Sequence, residues 1–221
     1  MDVNTIYELC QFIVGKNQNG YLDSDQFNLI INQAQISYQA SLFGETQQYQ
    51  YAKGQSRVEY SMNEDVRQRI MPFWTKATLA ISSGNAVYPA DFLQLDAMLN
   101  STETDRIRYA APNKWYSFIK SKIDPVATNP IYRPTEGGFT FAPTTLTSAK
   151  IWYFKVPPTI LWAYTLDANG REVYNSAASV DPLWYDSDVF EIIARALSMI
   201  APNLQSATIA QYAAQLKANG Q

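Results

Sequence analysis

Residues 186–200, DSDVFEIIARALSMI, place Val189, Ile192, Ile193, Ala196, Leu197 and Ile200 on one stripe at helical period. Asp188, with Glu191 three residues on, predicts a capping box that opens this helix. Pro202 and Asn203 interrupt the pattern. Ile209, Tyr212, Ala213 and Leu216 then predict a last amphipathic helix closed by Asn219 and Gly220. A helix with one apolar stripe must bury it against others, and the opposite end of the chain supplies candidates. Val3, Ile6, Tyr7, Cys10, Ile13 and Val14 form a first stripe, with Thr5 and Glu8 as a capping box, and residues 15–20 form a polar turn. Asp23 with Gln26 makes a second capping box, and Leu22 with Phe27 a hydrophobic staple. Phe27, Ile30, Ile31, Ala34, Tyr38 and Leu42 continue that stripe to Gly44. The pair reads as an antiparallel helical hairpin that needs a third and a fourth helix to cover it.

Between Gly44 and Met62 the chain is polar and rich in Gln and Tyr, with no apolar period. It reads as a long loop or extended arm, and loops of this length usually contact something. A short helix follows, with Asn63 as its cap, Val66, Ile70 and Phe73 facing inward, and Pro72 limiting it. The middle of the chain then changes period. Ala77, Leu79 and Ile81 alternate with polar neighbours, a turn follows at 83–85, and Leu93, Leu95, Ala97 and Leu99 alternate again. Residues 105–109 and 139–141 and the run AKIWYFKV at 149–156 are further strands, the last stopped by Pro157 and Pro158. Residues 115–119 read as a helical turn or two, and Asp167 to Gly170 as a turn within a loop. The expected fold class is α+β in a single domain, 1–221. A helical bundle of the N- and C-terminal amphipathic helices (1–75 and 186–218) carries a small antiparallel β-rich insertion (76–160), with the arm at 44–62.

Composition narrows the chemistry. Hydrophobic residues make up 47% of the 221, enough for a core, while 17 Lys+Arg against 20 Asp+Glu leave a net charge of −3, without the basic excess of a dedicated nucleic-acid binder. Histidine is absent and Cys10 is the one cysteine, which excludes His-based triads, most zinc sites and an intrachain disulfide. No stretch reaches the 18 or so apolar residues of a spanning helix, and the first 20 residues lack the basic start of a signal peptide, so a cytoplasm-like compartment of synthesis is expected.

Three constellations bear on function. Gly15 to Gln26 has a calcium-loop outline around Gly20, but of the ligand positions only that of Asp23 carries a carboxylate, so a helix–helix turn is the better reading. Asp181, Asp186, Asp188 and Glu191 form an acidic cluster that could hold a cation or supply paired carboxylates for glycoside hydrolysis, but acids at a helix N-terminus are what the macrodipole favours, and that is the better reading. Trp74, Trp115, Trp152, Trp162 and Trp184, with 15 Tyr, suit stacking on sugars or on single-stranded nucleic acid, but the basic groove that base stacking goes with is missing, and core and protein interface is the better reading. Cys10 lies on the apolar stripe, where packing outweighs reactivity. No phosphate loop or nucleophile elbow is present. The residues assign no catalytic, cofactor-binding or metal-ligating position.

Taken in order, four segments resemble the head-to-tail connector (adaptor, or tail tubular) proteins of short-tailed bacteriophages, and most of all the small ring proteins of crAss-like phages. They are IYELCQFIVGKNQNGYLDSDQFN, YPADFLQL, NPIYRPTEGGFTFAPTTLTSAKIWYFKVPP, and WYDSDVFEIIARALSMIAP with the terminal helix. The resemblance implies a helical bundle with a β-rich insertion, and a virion protein that is not an enzyme and needs no cofactor. It further implies a ring of itself, commonly twelvefold, below the portal protein and beside other tail rings, with DNA passing through the lumen without sequence-specific binding. No membrane partner is implied. The arm at 44–62 would order against a neighbouring subunit. The competing expectation is an aromatic-rich carbohydrate- or receptor-binding module of a phage tail.

Overall fold

The computed structural model describes residues 1–15, 22–52, 64–120 and 125–200. The polar turn and calcium-loop outline at 16–21, the arm residues 53–62, the Asn63 cap and the terminal helix at 209–216 lie outside the described residues. The chain divides into two compact units: Met1–Pro72 with Pro157–Gln221, and Phe73–Val156.

In the first unit, α1 (Val3–Gly15) buries Val3, Ile6, Tyr7, Cys10 and Val14, the face that the stripe predicts. Its cap is Asp2 rather than Thr5: the Thr5 N–H donates to Asp2 Oδ1 at 3.3 Å. Helix α2 (Ser24–Ala52) starts directly after Asp23, with Leu22 and Phe27 both buried. It runs through Gly44 to Ala52, where the absence of an apolar period suggested an extended arm. One Gly costs only about 1 kcal/mol within a helix, and the polar residues after it give no pattern by which to tell helix from coil. Helix α3 (Glu64–Ile70) leads into a 3-10 turn, Met71–Phe73.

The second unit is a pair of antiparallel-rich sheets. Strand β1 (Trp74–Ala80) turns at Ser83 and Gly84, both at positive φ, into β2 (Asn85–Val87). Strand β3 (Phe92–Leu99), β4 (Arg108–Tyr109), the short helix α4 (Trp115–Ile119), β5 (Ile131–Thr135), β6 (Gly138–Ala142) and β7 (Ser148–Lys155) follow. The sheet orders are β1-β7-β3 and β2-β6-β5-β4. The two sheets are stitched at two corners. Ser82 and Asn85 exchange backbone hydrogen bonds at one; Leu99 bridges Arg106 and the Ile107 N–H donates to Met98 O at the other. Between the sheets lie Leu79, Ile81, Met98, Ile151 and Tyr153 from one side and Ala86, Tyr132, Phe139 and Phe141 from the other. Trp115 of α4 packs with Ala110, Ile131 and Ala142 in a second cluster. Gly138 is required where it stands: a Cβ there would lie 1.9 Å from the Ala86 carbonyl oxygen of the paired strand.

The chain then returns to the first unit. Residues 157–163 run extended, β8 (Tyr164–Leu166) and β9 (Glu172–Tyr174) make a hairpin around the predicted turn at 167–170, and α5 (Asp186–Ile200) closes the described chain. Helix α5 packs on α2 and touches α1. Asn28 of α2 accepts from the Trp162 N–H at 2.8 Å and donates to its carbonyl at 3.0 Å. Asn32 does the same for Ile160, at 2.9 and 2.7 Å, and Gln35 donates to the Pro158 carbonyl at 3.0 Å. The spacing explains the match. Four helical residues advance about 6 Å, close to the span of two extended residues, so amides on successive turns act as a partner strand for 158–162.

The expectation of a helical bundle with a small β insertion is therefore wrong. The chain is mixed α/β, with five helices and nine strands in three sheets among the described residues, and much of its core is β-rich. The physical reason is that the strands missing from that expectation, β2, β5, β8 and β9, are only three to five residues long, too short to show a period. A further covering for α2 comes from the extended segment held by amide side chains, which the reading in apolar stripes does not register.

Candidate functional site

The first turn of α5 is the place where charge, aromatics and a cavity meet. Tyr185 supplies the carbonyl that accepts from the N–H groups of Asp188 (2.9 Å) and Val189 (3.1 Å), so the helix begins before Asp188, and Asp188 does not cap it. Its side chain turns inward instead and is 1% exposed. The Tyr38 hydroxyl donates to Asp188 Oδ1 at 2.8 Å, and Arg69 lies 3.7 Å from the same oxygen and donates to the Tyr38 oxygen at 3.3 Å. Trp184 packs against the Tyr38 ring at 5.1 Å and donates from its indole N–H to Gln35. The Arg195 guanidinium stands 5.3 Å from the centre of that ring, while it bonds Glu191 at 3.2 Å and the Ser41 hydroxyl at 3.0 Å. A cavity of about 460 Å³ opens beside the cluster, lined by Gln68, Arg69, Met71, Tyr185, Ser187 and Asp188.

Burial pushes the Tyr38 phenol up to about 12; Arg69 pulls it down, and the Asp188 carboxylate beside it adds to the rise. At neutral pH the phenol therefore stays protonated and its O–H donates a hydrogen bond to Asp188. The carboxylate, in turn, is committed to holding α5 onto α2 and α3. This is a polar lock, in which a buried charge is matched by a donor and a cation.

The structure does not bring the acidic cluster together. Asp181 accepts from the Val3 N–H at 2.8 Å, Asp186 meets the Met1 nitrogen, Asp188 lies in the lock and Glu191 pairs with Arg195. Each carboxylate has a separate task, and among the described residues no group of three or more His, Cys, Asp or Glu is placed to hold a metal ion. The tryptophans also divide. Trp115, Trp162 and Trp184 are buried, which removes them from any stacking surface, and Trp74 and Trp152 meet edge to face at 5.5 Å, half-buried. Trp162 sits in a stack with Tyr7 at 4.3 Å and Tyr174 at 5.7 Å.

Sequence reasoning did not single out the residues that organise this region: Tyr38 only as part of a stripe, Arg69 and the amides of α2 not at all. The amide ladder had one available signal, Asn28, Asn32 and Gln35 at helical spacing beside a buried stripe. The segment YPADF proves to be a packing corner. Tyr88 stacks on Phe92 at 4.7 Å, and the Asp91 carboxylate accepts from the Tyr153 hydroxyl at 2.8 Å. Among the described residues no helix is long and apolar enough to cross a membrane. No family model matches the chain, and no curated protein matches its sequence.

Proposed function

We propose that the chain is a structural ring protein of the head-to-tail connector of a short-tailed, crAss-like bacteriophage, assembling with copies of itself below the portal and leaving a channel for the genome. The order of the four resembling segments supports this reading. The observation that carries it is apolar surface exposed on regular elements among the described residues. Leu29 is 73% and Ile36 51% exposed, two turns apart on one face of α2, and Tyr116 on α4 is 65% exposed. Large apolar side chains two turns apart on one helix face suit contact with another protein chain. The bundle that the resemblance implied is not part of the support, because the fold differs from it. Net charge of −3 fits a lumen that lets DNA slide, since strong phosphate binding would retard it.

The test is electron microscopy of particles that contain the protein, with Leu29→Asp/Ile36→Asp as the paired variant. The proposal expects density for a ring of this chain beneath the portal, and particles that lack the ring when the variant is supplied. Turnover of a small compound by homogeneous protein, or wild-type location away from the portal–tail axis, overturns it.

A further inference from the structure

The sheet β1-β7-β3 has two edges of different character. Strand β3 breaks its register with β7 twice, between Phe92 and Gln94 and between Leu95 and Ala97. Bulges of this kind are a standard protection against strand addition. Strand β1 has none: it pairs with β7 without interruption from Trp74↔Phe154 to Ala80↔Ser148. The hydrogen bond from the Ile81 N–H to the Thr147 carbonyl fixes the phase. Residues 75, 77 and 79 therefore bond inward to β7, whereas Trp74, Lys76, Thr78 and Ala80 point their N–H and C=O groups away from the sheet. Among the described residues no backbone partner reaches these outward groups. Lys76, Thr78 and Ala80 are exposed, the strand contains no proline, and it carries a single charge.

We infer that β1 is a docking edge for β1 of a second copy, paired antiparallel about a two-fold axis at Ala77. The occupant follows from self-complementarity. Centring the pair on Lys76 would set two ammonium groups against each other. Centring it on Thr78 would need the backbone of Ser82, which is already committed to Asn85 at 2.9 Å. Centring it on Ala77 uses every outward group of the strand. It sets Trp74 opposite Ala80, large against small, and Lys76 opposite Thr78, with no like charges facing. The product is one continuous sheet through both copies, the mode of recognition by strand addition. The contact is isologous, whereas a closed ring is built from heterologous contacts. It is therefore a contact of the free protein and does not rest on the ring reading above.

Two experiments on the full chain test it. Sedimentation equilibrium reads the dimer constant of the wild type and of Thr78→Pro, which deletes an outward N–H while sparing the bonds to β7; the expected loss of affinity is about 10- to 100-fold. Because proline could damage the strand itself, oxidation of Ala77→Cys and Thr75→Cys supplies a second measure that leaves the edge intact. In Ala77→Cys the new thiol faces its own copy across the axis and cross-links to a covalent dimer; in Thr75→Cys it faces Leu79 of the other copy and does not. A wild type that stays monomeric up to millimolar concentration overturns the inference. So does a dimer or larger oligomer indifferent to Thr78→Pro, or equal cross-linking at 75 and 77.

Discussion

Tyr38 shows how one side chain ties a helix interface to pH. Its phenol is held up to about 12 chiefly by burial, Tyr153 is raised to about 12 by burial and by Asp91, and burial raises the Cys10 thiol to about 12. In the unfolded chain these groups ionise near 10 for tyrosine and near 8.5 for cysteine, roughly the values of free side chains. Below the unfolded values both states hold the protons, and the stabilisation is complete. Above them the unfolded chain releases protons that the folded one keeps, so stability falls as pH rises toward 12, by about 1.4 kcal/mol per pH unit for each fully engaged group. Urea titrations at a series of alkaline pH values give that slope. Tyr153→Phe should make it shallower by about one proton, whatever it does to the absolute stability. An unchanged slope would show that Tyr153 titrates in the folded protein as it does in the unfolded one.

At the scale of the element, the clamp between α2 and residues 158–162 carries the next prediction. Asn32→Ala leaves the Ile160 N–H and C=O without the partners that Asn32 provides, and each unsatisfied buried group costs about 1–3 kcal/mol. Chemical denaturation should therefore show a loss of about 2–6 kcal/mol. Gln33→Ala, one residue along at an exposed position, should change stability by less than about 0.5 kcal/mol. Equal effects at the two positions would remove the clamp as an explanation. This clamp also marks the limit of what the sequence reveals. The stripes of α1, α2 and α5 were legible because a helix with one buried face repeats its apolar residues many times over. The alternation at 93–99 gave the strand but not its facing. The bulge before Ala97 rephases the pleat, so that Ala97, Met98 and Leu99 are all buried while Leu93 is 39% exposed. Strands β2, β8 and β9 are three residues long and leave no period to read. The acidic cluster was visible as composition, but its division among Val3, Met1, Tyr38 and Arg195 depends, for three of its members, on partners far away in the chain, which no local pattern encodes.

For the molecule as a whole, the course of the chain sets what can be separated. The second unit begins at Phe73 and ends at Val156, and its first and last strands are hydrogen-bonded neighbours, with Trp74 opposite Phe154. A unit whose ends meet on adjacent strands closes its own sheet without help from the rest of the chain. Its two corners and the cluster around Ile151, Phe139 and Phe141 are internal to it. Residues 73–156 expressed alone should therefore fold, with a single cooperative urea transition and sharp, dispersed amide resonances. The Tyr132 and Phe139 rings, in contact at 5.8 Å, offer a local probe, since ring-current shifts on their neighbours vanish if the sheets separate. A fragment that melts without cooperativity, or binds hydrophobic dyes as a loosened core would, shows that the unit needs the remainder of the chain for its stability. The same fragment retains the whole β1 edge. If it dimerises as the full chain does, the contact belongs to this unit alone; if only the full chain dimerises, the helical unit contributes and pairing about Ala77 is not sufficient.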